Sequence, residues 1–177
     1  MLIWRLLPPA TKGNETEVAT IDERVRTLLA EFDDADEDRE AEIETELEAL
    51  KTKRLSLAAP AATLDAIAGD NPAARPPHEA PAKLGPYALH VVFIDAIALV
   101  SAPALHDEVF VNHSPAHMQE LIVRLQAVIE DLDTQDADGA NEDVQRVKAL
   151  ILRTAAWLDF WSKAGVGFDV VVEPDDE

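Results

Sequence analysis

The 177-residue chain carries 35 acidic and 15 basic residues, a formal net charge of −20, and no cysteine. A surface of that sign repels nucleic-acid phosphates and anionic membranes, and the missing thiols exclude disulfides and thiolate metal sites. The acid is spread along the chain rather than gathered in a tail, as in a salt-adapted, generally solvated surface; a basic partner and mimicry of a nucleic-acid backbone are the other physical reasons for such an excess.

Met1 to Leu7 is apolar but too short for a signal h-region, and Arg5 interrupts it. Closed by Pro8 and Pro9, it reads as a short edge strand or a hook onto another surface, with Trp4 as anchor. From Asn14 to Ala59 no glycine or proline occurs, and Ile21, Val25, Leu28, Phe32, Ala35, Ile43, Leu47, Leu50 and Leu57 form a stripe at steps of three and four. Two helix starts have capping-box-like spacing, Asn14 with Glu17 and Thr20 with Glu23; Lys51, Lys53 and Arg54 suit the carbonyl end, and Pro60 stops the helix.

Two geometries fit this stretch. A continuous helix would run roughly 65 to 70 Å at about 1.5 Å per residue, and its stripe would need a partner outside its own domain. A bend at the aspartates between 33 and 38 would fold the stripe onto itself as a hairpin. In the first case Trp4, Ile21, Val25, Leu28, Phe32, Ile43, Leu47 and Leu50 are the expected partner-binding residues.

Ala61 to Ala68 is a short amphipathic helix ended by Gly69, and five prolines between Pro72 and Pro86 mark a linker. The expected organisation is therefore a strand or hook at 1–13, the long helix or hairpin with its short companion at 14–71, the linker at 72–86 and a compact domain at 87–177. Within that domain, Leu89 to Val100 is apolar on every side and leans to strand; Glu108 to Asn112 and Val166 to Glu173 are further strand candidates. Ser114-Pro115 caps and opens a helix through Met118, Leu121, Ile122, Leu125, Ile129 and Leu132. Asn141 opens the next, through Val144, Val147, Leu150, Ile151, Trp157, Leu158 and Trp161, and a short acidic connection makes the two an antiparallel pair. The fold class is α+β, mainly α-helical. The apolar run from Tyr87 to Leu105 contains His90, Asp95 and Pro103, which weigh against a transmembrane span.

Few residues suggest chemistry. His106, His113 and His117 with Glu120 are the candidate metal ligands, His113 and His117 standing four apart. The proline at 115 puts His113 before the helix, so that step need not mean a shared face, and polar surface or cap positions account for these side chains. The loop from Asp133 to Gln145 has calcium-loop features around Gly139, Asp136 and Asp138, but Thr134 and Gln145 occupy positions that need carboxylates, which leaves a solvated connector. Asp95 lies in an apolar run, where a strand-end or cap role explains it better than acid catalysis. Trp157 and Trp161 read as core.

No cofactor is expected. The expected function is a non-enzymatic structural or assembly protein, cytoplasmic or in a virion, that holds protein subunits as a homo- or hetero-oligomer, with no direct nucleic-acid or membrane contact. The alternative is an acidic binding module that blocks a basic partner; a metal-dependent enzyme built on His106, His113 and His117 is the second alternative. The two leading readings differ in whether the carboxylates cluster on one face.

Overall fold

A computed structural model describes residues 2–32, 34–77, 85–90 and 112–172. The apolar run at the start forms β1 (Leu2–Leu6), which pairs antiparallel with β2 (Ala88–His90) on one side and β3 (Phe168–Val172) on the other. β1 is thus the central strand of a three-stranded sheet, order β2-β1-β3, rather than an edge or a hook. Four of its five residues are apolar, which suits a strand flanked on both edges.

Alternation along β1 divides its side chains between two faces. Trp4 and Leu6 join the main core, where the Trp4 ring stacks on Phe168 at 4.5 Å. Arg5 faces the other way and forks onto Asp169, directly opposite on β3.

The long stretch breaks into α1 (Glu15–Phe32) and α2 (Glu37–Leu57). The carboxylate of Asp36 caps α2 by accepting from the Arg39 amide, so an aspartate in the acidic middle ends one helix run and starts another. α1 begins beside Asn14; Thr20 sits inside it, its hydroxyl bonded to the Thr16 carbonyl. The pair closes as an antiparallel hairpin in which Ile21, Val25, Leu28, Ile43 and Leu47 bury one another, with Phe32, Ala35, Leu50 and Leu57 packed around them. Cross-helix ion pairs follow the same register: Arg39 with Glu31 near the turn, Arg24 with Glu46 midway, Lys53 with Glu17 and Arg54 with Asp22 toward the root.

α3 (Ala62–Ala68) ends at Gly69, which takes a positive φ of 49°, and Asn71 caps a 3-10 turn at Pro72–Ala74. Both precede the proline-rich stretch in sequence, yet Leu64, Ala68 and Ala74 share a core with the C-terminal helices, and Trp161 Nε1 donates to the Ala74 carbonyl at 3.1 Å. Those helices are α4 (Pro115–Gln135), capped by the Ser114 hydroxyl, and α5 (Glu142–Lys163), capped by the Asn141 side chain. They pack antiparallel through Leu121, Leu125, Leu132, Ile151, Leu158 and Trp161.

α5 stops in a Schellman turn. Gly165 has φ +75°, its amide donates to Ser162 and that of Val166 to Trp161. Gly167 has another reason to lack a side chain: a Cβ there would lie 2.5 Å from the carbonyl oxygen of His113, where residue 113 bridges to Phe168.

Of the expected strands, Val166 to Glu173 is represented by β3 and the Leu89 run by β2; residues 91–111, with Asp95 and most of the Glu108 to Asn112 candidate, lie outside the described residues. No described helix is long and apolar enough to cross a membrane.

Candidate functional site

The residues expected to bind a partner are spent on the chain's own packing. Trp4, Leu28 and Ile43 are fully buried, Ile21, Val25 and Leu47 nearly so, and Phe32 and Leu50 lie partly covered against the hairpin cluster. For the hairpin residues the physical cause is the turn at 34–36, which brings the two halves of the stripe face to face, whereas Trp4 is buried in the main core against Phe168.

What the hairpin leaves outside is charge. Residues 31–48 hold eleven carboxylates and one arginine, a formal −10 of the chain's −20. The acid is therefore concentrated at the turn end of the hairpin, and Asp34, Asp36, Glu37, Asp38, Glu42, Glu44 and Glu48 are all exposed there. Arg39 is shared between Glu31 and Glu42, and both bonds hold its guanidinium above its ordinary pKa. Arg24 holds the Glu46 carboxyl below its ordinary value by a direct hydrogen bond. Asp34, Glu37, Asp38, Glu44 and Glu48 face water.

The metal candidates do not converge. His113 is buried in an aromatic stack, 4.8 Å from the Phe168 ring, and meets His117 edge to face at 6.4 Å between centroids. His117 instead reaches α1, its Nε2 lying 3.6 Å from Glu23 Oε2. Glu120 is exposed, and His106 lies outside the described residues. Among the described residues no group of three His, Asp or Glu side chains could hold an ion.

The loop between α4 and α5 is closed by its own groups. Gln145, which stands where a calcium loop needs a carboxylate, donates to Asp136 Oδ2 at 2.7 Å, and the Asn141 amide donates to Oδ1. These bonds, Gln145 first, hold Asp136 below the usual carboxylate range. Trp157 and Trp161 are fully buried.

Two recesses meet at the root of the hairpin. The larger, about 500 Å³, is a mainly apolar cleft between the end of β1, α2 and α3, floored by Leu6, Leu7 and Leu64, with Leu55 at its rim 63% exposed. Tyr87 forms one wall: its hydroxyl donates to Asp65 at 2.6 Å and accepts from Arg75 at 2.8 Å, and burial, reinforced by the bond to Asp65, raises its pKa. The smaller recess, about 60 Å³, lies beside it and shares Arg5, Leu7 and Leu55. Arg54, 6% exposed, borders it, paired to Asp22 Oδ1 at 2.6 Å and donating to the Pro8 carbonyl.

Sequence reasoning missed both arginine pairs at this junction. Arg54 follows Lys51 and Lys53 and has the profile of a helix-end cation; Arg5 has that of an interruption in a strand. Their partners stand 32 and 164 residues away, beyond any local pattern. Comparison with protein-family models, curated proteins and solved structures finds no match.

Proposed function

We propose that this chain is a non-enzymatic binding and assembly protein that presents its acidic hairpin to a basic surface of a partner subunit. The observation that carries the reading is the gathering of half the net charge into residues 31–48, at the end of an arm whose apolar stripe is already satisfied. Closure of the stripe removes the need for an apolar partner along its length. The exposed carboxylates supply a different basis for association, because a concentrated field steers an oppositely charged partner and sets its orientation. Helices also hold those carboxylates in fixed register, so the field has a shape that a disordered acidic tail lacks. This joins the assembly reading to the acidic-module reading, with a protein rather than a nucleic acid as the partner.

A zero-length carbodiimide, which couples carboxylates to amines, tests this in an extract of cells that make the protein. Cross-links should run from residues 34–48 to lysines of one partner. They should vanish in about 1 M salt, where screening acts within about 3 Å, and in a variant carrying Asp34→Asn, Asp38→Asn, Glu44→Gln and Glu48→Gln. Cross-links spread evenly over α4 and α5 as well would contradict the reading and leave the acidity as general solvation.

A further inference from the structure

The small recess is a seam between two bodies. Asp22, Arg54 and Leu55 of the hairpin form one side of it; Arg5, Leu7 and Asp169 of the sheet side form the other. Each side neutralises its own charge: Arg54 is paired to Asp22 within the hairpin, and Arg5 to Asp169 within the sheet. Parting the two therefore strands no buried ion, the step that usually makes separating charged surfaces costly. An unfilled gap also forfeits dispersion contacts between its walls. The apolar clusters on either side are separate, so each body keeps its own core when they part.

Polar contacts that tie the arm to what it lies against include, among the described residues, Arg54 Nη1 to the Pro8 carbonyl at 3.3 Å and His117 to Glu23 at 3.6 Å. At the root, backbone bonds from Thr11 to Leu57 and from Ala59 to Pro9 hold the two chain segments side by side. These can stay intact while the arm turns about them.

We propose that the hairpin is a hinged arm that swings off the sheet as one unit about residues 9–11 and 57–59, with Arg54 as its latch. Since Leu55 borders both recesses, the swing joins the 60 Å³ recess to the 500 Å³ cleft and uncovers their shared wall of Arg5 and Leu7. The hinge is a property of the chain alone and stands or falls without any partner.

The absence of cysteine makes the test direct, because paired spin labels can be placed without background. One pair, Thr45→Cys with Gln126→Cys, spans arm and core at exposed sites; a control pair, Thr27→Cys with Thr45→Cys, lies within the arm. An arm about 27 Å long turning through about 20° moves its tip by about 9 Å. In Arg54→Met the arm-to-core distance distribution should gain a second population displaced by that order, while the control distance stays single. Glu23→Gln, at an exposed position where folding is not at stake, should gain the same population to a smaller extent. Unchanged arm-to-core distances in the folded variants, Glu23→Gln alone deciding where Arg54→Met does not fold, would overturn the hinge. Broadening of the control pair as well would overturn it too, since the arm would then be unfolding.

Discussion

The sheet with α3, α4 and α5 and the hairpin of α1 and α2 solve the same problem in different ways. The first buries, among the described residues, twenty apolar side chains, including all three tryptophans, around strands that meet from opposite ends of the chain. The second buries five aliphatic side chains between helices adjacent in sequence and fixes their register with cross-helix ion pairs, of which the exposed ones, such as Arg24 with Glu46 and Arg39 with Glu31, carry little energetic weight. One unit is specified by nonlocal packing and the other by local pattern. Stability and charge are accordingly divided: most of the core lies in the first and half of the net charge in one part of the second.

Mutations sharpen that division. Trp161→Ala should be the most damaging, about 4 kcal/mol from lost transfer energy and the cavity left behind, and should unfold sheet and helices together in a urea titration. Ile43→Ala should cost about 3 kcal/mol but only within the hairpin; helix signal should fall at lower urea while tryptophan emission keeps its wild-type midpoint. A common shift of both signals in Ile43→Ala would erase the distinction. Gly167→Ala should cost about 2 kcal/mol in the first unit, because the new methyl meets a backbone carbonyl that the His113 bridge holds in place.

The smallest effect concerns acid. Lys163, then Gln119, holds Asp159 below its ordinary pKa, as Gln145 holds Asp136 and Arg24 holds Glu46. A carboxyl whose folded-state pKa lies below its unfolded value stabilises the fold above about pH 4 and loses that contribution as pH falls through the folded value. Melting temperature should therefore decline below about pH 4. Asp136→Asn should be less stable at neutral pH and show a shallower acid decline in the first unit, with the hairpin's response unchanged; an acid profile identical to wild type would contradict the bonding given for Asp136.

Helix positions were largely legible because their signals are local. Ser114-Pro115, Asn141 and Gly165 act as the caps their residue types imply, and the Trp157 and Trp161 stripe lies in the core. The choice between a straight helix and a hairpin was not, since an apolar period of three and four runs unbroken through either; what decides it is the Asp36 cap, one candidate among several aspartates in a row. The central place of β1 was hidden for another reason. Its partners begin at residues 88 and 168, and no property of five residues names a neighbour that distant. The acid is not evenly spread: half of the net charge already stands in the contiguous residues 31–48, legible by counting along the sequence, and the hairpin turn folds that segment into a focused patch. For the histidines, spacing alone suggested a shared ion, but the start of α4 turns His113 into the aromatic stack and His117 toward α1.

The most direct test of two separately held units is equilibrium unfolding of the wild-type chain followed by two signals at once. All three tryptophans lie in the sheet and α5, whereas helical circular dichroism reports both units. Two unfolding steps in circular dichroism, the first silent in tryptophan emission and lost when the hairpin is removed by mutation of Leu28 and Ile43, is the result expected here. A single transition, coincident in both signals across the whole titration, would contradict it and make the hairpin an inseparable part of one cooperative core.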